Sequence, residues 1–291
     1  MKARKYIVLA AMAVMVAALA LVGCSSGSAS SASKSASASS ASASASASAS
    51  SASASSSAAS GSMQLITAGK LTIATSPDYP PFENLENGEY VGLDIEIAKA
   101  VAKELGLTPE FKTLQFDAII PAIAAGGQAD MGISGFSIDP DRAKEIDFSS
   151  SYYIDDQAVA VMNDSPITAE NADAELNKDG VIIAVQSGTT GETYVQENYP
   201  KATVQAYGNS TDAFAAMQSG QANAVCTNKA VVDTRLADAY KDARVVKTIA
   251  TGEEYAIVIS KDNKALTTAV NDALAKIASD GTLDTLIKQY M

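Results

Sequence analysis

The chain has 291 residues, a net charge of −12, no histidine, no tryptophan and two cysteines. An acidic chain without basic patches argues against nucleic acid as a partner. The lack of histidine makes a zinc site unfavourable and removes the commonest general base, and no cofactor is expected.

The N-terminus reads as a targeting signal. Lys2, Arg4 and Lys5 precede an apolar run from Tyr6 to Val22, and the run ends in Leu21-Val22-Gly23-Cys24. A basic start, a short apolar core and small residues before a cleavage point predict an export signal over residues 1–23. A membrane-spanning helix is the alternative. The run is at the short end of the roughly 17–25 residues a span needs, and a Ser/Ala tract follows it instead of a basic cluster. Residues 24–62 are almost entirely Ser and Ala, with Lys34 the only charge. Such a tract buries too little apolar surface to offset chain entropy, and as a flexible coil it spans about 35 Å. Loss of Lys2, Arg4 and Lys5 with the signal takes the charge from −12 to −15, which favours solubility.

From about Gln64 the sequence alternates strand and helix signals. Leu71–Thr75 is a β-rich run broken by Tyr79-Pro80-Pro81-Phe82. Asp94–Leu105 has helical apolar spacing and ends at Gly106. Pro109–Leu114 predicts a strand, Asp117–Ala125 a helix ended by Gly126-Gly127, and Ala129–Ser134 a third strand. This βαβαβ order implies a parallel sheet with helices on its faces. The pattern then recurs: strand Gly180–Gln186, a helix after Ser187-Gly188-Thr189-Thr190, strand Lys201–Tyr207, helix Asp212–Ser219. The turn Gly220-Gln221-Ala222-Asn223 into Ala224–Thr227 parallels Gly127-Gln128-Ala129-Asp130 into Met131–Ser134. Two α/β lobes of similar plan follow. Ligands of such sheets bind beyond the carboxyl ends of the strands, so facing lobes place a cleft between them. One doubly wound domain is the alternative.

Several residues near those strand ends carry possible chemistry. Asp139 reads as an N-cap with Pro140 at the first helical position, which puts Arg142 in a first turn, where the helix dipole disfavours a cation. That placement makes sense if the guanidinium turns to a fixed anion, which it can hold with two parallel hydrogen bonds. A surface pair with Asp141 or Glu145 is the alternative. Ser134, Gly135 and Ser137 allow close backbone approach and hydroxyl contacts, or serve as an ordinary turn. Gly188, Thr189 and Thr190 open a helix whose free N–H groups favour an anion, while Thr189 with Glu192 also fits a capping box.

Two resemblances extend this reading. Leu21–Cys24 resembles a bacterial lipobox, which implies that Cys24 is acylated and becomes the mature N-terminus, leaving only Cys226 and no intramolecular disulfide. From about Lys70 to Met291 the chain resembles the family 3, polar amino-acid, periplasmic-type solute-binding proteins of ABC transporters. The segments that carry it include Ala74–Phe82, Gly92–Ala100, Phe116–Ala122, Ile133–Arg142, Val185–Gly191 and Asp280–Asp284. The resemblance implies the two-lobed α/β periplasmic-binding-protein fold, type II, with a ligand cleft between lobes. Its divisions would be lobe 1 over 63–153, a hinge at 154–157, lobe 2 over 158–251, and a second hinge and return to lobe 1 over 252–291.

The resemblance also implies roles. Arg142 and Thr190 would hold a ligand α-carboxylate, with Thr189 left to capping. Tyr79 and Phe116 would form aromatic walls, though packing in the core is the alternative for Phe116. Ser76 and Glu83 would lie near the side-chain pocket, and Ser134, Gly135, Ser137 and Gly188 would line the cleft. At the position where the family has an Asp for the α-ammonium stands Asn228, which cannot neutralise a cation. Either another acid such as Asp233 takes over, or the ligand is not an ordinary α-amino acid and its amino group is weakly recognised or modified, or Asn228 merely caps the next segment. Implied partners are a small molecule, most simply an amino acid, an ABC permease, and the membrane through the lipid anchor. The alternatives are a dehydratase-like enzyme on the same scaffold and the sensing domain of a signalling receptor.

Overall fold

The computed structural model describes residues 62–291; the signal 1–23, Cys24 and the tether up to Gly61 lie outside the described residues. The β-rich run forms β1 (Lys70–Thr75), whose Leu71 and Ile73 are fully buried. The Pro-rich break and its sequel make a small antiparallel sheet of β2 (Asp78–Tyr79), β3 (Glu83–Glu86) and β4 (Glu89–Val91). Helix α1 (Leu93–Glu104) buries Leu93, Ile95, Ile97, Ala98, Val101 and Ala102. It starts at Gly92, where φ is +124° and a Cβ would sit 2.2 Å from the Phe82 carbonyl oxygen. No other residue fits that approach.

Strand β5 (Thr108–Thr113) pairs in parallel with β1, helix α2 (Phe116–Ala124) follows, and β6 (Met131–Gly132) pairs on the other side of β1. The third strand is shorter than its sequence predicts. At one end Asp130 diverts its carboxylate to the N–H groups of Ile66 and Thr72; at the other the chain leaves the sheet after Ile133 to build the Ser134–Ser137 loop. A single helical turn, α3 (Arg142–Glu145), and β7 (Ile146–Phe148) complete this stretch.

The chain then crosses into a second sheet through β8 (Tyr153–Met162). After α4 (Ala172–Leu176) come β9 (Ile182–Gln186), α5 (Thr190–Asn198), β10 (Thr203–Tyr207), α6 (Ser210–Gln218), β11 (Ala224–Asn228) and α7 (Lys229–Ala237). Strand β12 (Ala243–Tyr255) returns to the crossing point, β13 (Val258–Ser260) rejoins the first sheet, and α8 (Lys264–Ser279) and α9 (Thr282–Tyr290) pack on α1.

The strand orders are β5-β1-β6-β13-β7 and β10-β9-β11-β8-β12. Each has three parallel strands followed by an antiparallel one, as the repeated sequence pattern requires. Where the chain passes between sheets, β8 and β12 pair Tyr153 with Tyr255, Ile154 with Glu254 and Asp155 with Glu253. Buried Tyr255 anchors this junction against Phe82, with ring centroids 5.0 Å apart. No helix of the described residues is long and apolar enough to cross a membrane.

Candidate functional site

A cavity lies between the carboxyl ends of the two sets of parallel strands. From the first sheet's side it is lined by Ser76, Tyr79, Glu83, Phe116, Ser134, Gly135, Ser137 and Arg142, and from the second's by Gln186, Thr189, Thr190 and Asn228. Nine of the ten sequence-derived ligand positions therefore converge on one space. The tenth, Gly188, is not among the lining residues. Its N–H is taken by the Glu192 carboxylate at 2.8 Å and its carbonyl by Arg142 at 2.8 Å.

Arg142 reaches the cavity, but not from the kind of helix its sequence context predicts. Asp139 does cap the turn, accepting from the N–H groups of Asp141 and Arg142 at 2.9 and 3.0 Å. The helix, however, is four residues long and starts at Arg142 itself, too short for a dipole to decide the placement. Two aromatic faces and two carbonyls hold the guanidinium instead. It lies 5.4 Å from the Phe116 ring centre and 5.7 Å from that of Phe136, the two rings being stacked at 4.6 Å. Nη1 donates to the Ser137 carbonyl at 3.0 Å and Nη2 to that of Gly188. Among the described residues no carboxylate lies within 4.0 Å of it, so the expected alternative of a pair with Asp141 or Glu145 is not formed. Burial lowers its affinity for its own proton without bringing a guanidinium near deprotonation.

Tyr79 crosses the cleft. Its hydroxyl donates to Asn228 Oδ1 at 2.8 Å, shares a hydrogen bond with Thr227 Oγ1, and accepts from the Asn228 N–H. Asn228 does not cap α7 with its side chain. Instead its Nδ2 donates to Glu253 Oε2 at 3.3 Å. Asp233, the substitute acid considered from sequence, points away from the cavity and pairs with Lys229.

At the other end Glu83 is buried, accepting from Ser134 Oγ at 2.7 Å. Behind it Asp94 accepts from the Gly135 N–H at 2.7 Å and from Tyr152 at 2.9 Å. Glu83 Oε2 and Asp94 Oδ1 have no other partner. One proton shared between the two carboxyls satisfies both. Burial, and for Glu83 the neighbouring Asp94 charge as well, raises the Glu83 pKa well above the usual range. Burial lifts Asp94 to about 6. The floor of the cavity thus presents a protonated acid beside two serines, not a free anion.

The residue that sequence reasoning missed is Glu253. Its Oε2 accepts from Ser137 Oγ, from Thr190 Oγ1 at 2.8 Å and from Asn228, and its Oε1 accepts from Gln157 Nε2 at 3.0 Å. In this structure Thr190 lines the cavity and directs its only hydroxyl proton to Glu253. Thr189 caps α5 as expected, accepting from the Glu192 N–H at 3.2 Å. The signal for Glu253 was the run Thr251-Gly252-Glu253-Glu254-Tyr255: strand alternation puts Glu253 on the same side as buried Tyr255.

Residues 71–291 match the model of the bacterial extracellular solute-binding proteins, family 3. The chain belongs to this family. It is 32% identical over 228 residues to ABC transporter arginine-binding protein 1 of Escherichia coli (strain K12), covering 77% of this chain and 91% of that one. It is also 32% identical to the ABC transporter glutamine-binding protein GlnH of Bacillus subtilis (strain 168), covering 72% and 76%. Among solved structures it resembles the ancestral amino acid-binding protein AncCDT-1, a precursor of cyclohexadienyl dehydratase, at 37% identity and a TM-score of 0.71, covering 76% of this chain and 95% of that one. Within the family the two-sheet architecture around a cleft is the expected type II fold, and these relatives are binding proteins for small solutes.

Proposed function

We propose that this family 3 protein binds an α-amino acid, or a related carboxylate-bearing small molecule, in the cavity between its sheets and hands it to the permease of an ABC importer. The observation that carries the reading is Arg142, a cation at the cavity wall without a carboxylate of its own among the described residues. A ligand carboxylate supplies the missing anion and a bidentate geometry. Backbone N–H groups in the first turn of α5, which have no intrahelical partner, add to that pole. Tyr79 and Phe116 flank the ligand's stem, and Ser76, Ser134 and protonated Glu83 meet its far end. The names of the relatives support an amino acid: one is an arginine-binding and one a glutamine-binding protein of ABC transporters. The export signal and the lipobox-like Leu21–Cys24 support an acylated Cys24 that tethers the protein to the outer face of the cell membrane.

Mass spectrometry of the protein purified from membranes tests both halves. Under native conditions the folded protein should carry a co-purified small acid, and the intact chain should begin at a lipid-modified Cys24. An empty protein that binds neither L-arginine nor L-glutamine nor any other amino acid in titration would overturn the binding reading. Conversion of an added compound to a new mass would make the protein an enzyme instead.

A further inference from the structure

The hydroxyl groups on one side of the cavity have already given away their protons. Ser137 Oγ and Thr190 Oγ1 both line the cavity and both donate to Glu253 Oε2. A hydroxyl has one proton and two lone pairs. With the proton spent, Ser137 offers the cavity only lone pairs. Thr190 accepts from Gln157 Nε2 at 3.1 Å and keeps one lone pair more. These oxygens can accept a hydrogen bond from a ligand but cannot donate one.

Glu253 fixes that polarity because its charge is not cancelled from behind. Among the described residues no Lys or Arg lies within 4.0 Å of it; its four partners, Ser137, Thr190, Asn228 and Gln157, are neutral donors. The kink that aims it is visible in the sheet. Pairing of β12 with β8 is interrupted between Ile249 and Glu253, Gly252 adopts φ +58°, and its N–H is held by Asp156 Oδ1 at 3.0 Å. The two charges flank one residue: Arg142 bonds the Ser137 carbonyl, and Glu253 the Ser137 hydroxyl. A positive and a negative pole on the same short stretch of wall suit two opposite charges carried on one carbon.

We infer that Glu253 is a positioning residue that turns the Ser137 and Thr190 hydroxyls into acceptors and so builds the subsite for the ligand's α-ammonium group. The inference rests on the reading that an α-amino acid occupies the cavity. Asn228 is then a brace. Its Oδ1 is taken by Tyr79 and its Nδ2 by Glu253, so it steadies the carboxylate instead of meeting the ligand.

The test compares each amino acid with its analogue lacking the amino group: L-glutamine with glutaramic acid, and L-arginine with 5-guanidinopentanoic acid. Calorimetry on the wild type should show the amino acid bound about thirtyfold or more tightly. In Glu253→Gln, the new amide can donate to the two hydroxyl oxygens and turn their protons toward the ligand. The preference should collapse to within about threefold, with the analogue's affinity unchanged or improved. Glu253→Asp keeps the charge and should restore part of the preference, which a merely structural role would not do. A wild type that binds analogue and amino acid equally overturns the inference, whatever happens to the variants. So does a Glu253→Gln protein whose preference is intact, or one that binds the amino acid more tightly because Glu253 had been competing with the ligand carboxylate. All three outcomes leave the amino-acid reading standing. If the wild type binds none of the four compounds and no other amino acid, that reading fails and this one with it.

Discussion

The two halves of the cavity are built from the same strand plan and do opposite jobs. In the first, β6 ends after two residues and releases a loop, Ser134–Ser137, before a four-residue helix that carries Arg142. In the second, β11 runs five buried residues and passes directly into nine-residue α7, with nine-residue α5 starting beside it. Gly135 and Asn228 occupy matching places in the sequence repeat, the first in the loop after β6 and the second at the end of β11. Gly135 contributes a backbone N–H, spent on Asp94, while Asn228 contributes an amide that braces Glu253. The repeat therefore predicts where chemistry is placed and not which chemistry. A short strand leaves chain for a long cationic side chain to swing in; a long strand delivers helix starts with their fixed N–H groups.

The largest effect should come from removing the cation of the first half. Arg142→Ala leaves the second half with only the α5 start to hold an anion. Affinity for the co-purified ligand should fall by about 30- to 5,000-fold, the equivalent of about 2–5 kcal/mol for a desolvated charged hydrogen bond, with the thermal midpoint little changed. Calorimetry that finds less than a threefold loss would shift the carboxylate to the helix side and reverse the division of labour.

A smaller change tests the matched pair of positions. Asn228→Asp places a second carboxylate 3.3 Å from Glu253, where an amide now donates. Two carboxylates that close cannot both ionise freely, so the pair should hold a proton. Affinity for the amino acid should drop about tenfold at pH 8 and recover as the pH falls toward 5. Improved affinity at pH 8 would mean that position 228 faces the ligand's ammonium directly and needs no help from Glu253.

Much of this arrangement is legible in the sequence because local rules govern it. The 3.6-residue spacing of Ile97, Ala98, Val101 and Ala102 finds α1 within a residue at each end. Thr189 with Glu192 finds the start of α5. Asp139 accepts from the N–H groups of Asp141 and Arg142 as expected of a cap, although the helix starts two residues later than its sequence predicts, with Asp141 at the N-cap. What local rules miss are long-range pairings. Glu253 lies 25 residues from Asn228, 63 from Thr190 and 116 from Ser137, and no spacing joins them. They meet only because β12 is kinked where it passes between sheets. The Glu83–Asp94 pair is hidden for a related reason: the resemblance places Glu83 near the side-chain pocket, but nothing in the sequence joins it to Asp94 until strand β3 and helix α1 fold over the same buried space.

That pair also supplies the smallest expected effect, and it separates the first half's acid from the second's. Asp94 faces Glu83, the Gly135 N–H and the Tyr152 hydroxyl, and burial lifts its pKa from 3.8 to about 6. A carboxyl that is harder to ionise in the folded than in the unfolded chain binds more protons when folded. Its contribution to stability is therefore greatest below about pH 4, declines as pH rises through 4 to 6, and is flat above that. Asp155, at the crossing between sheets, is raised to about 6 by burial as well and adds a decline of the same sign. Asp94→Asn removes one of the two titrations while its amide oxygen still accepts from Gly135 and Tyr152 and its NH₂ can donate to Glu83. Denaturant titrations at pH 4 and pH 7 should show the variant losing less stability across that interval than the wild type, by about 1–2 kcal/mol. Asp155→Asn should give a separate and additive gain, because the two sites share no hydrogen-bond partner. An Asp94→Asn protein with an unchanged or steeper decline would show that the buried acid is held as an anion, and that the floor of the cavity is charged after all.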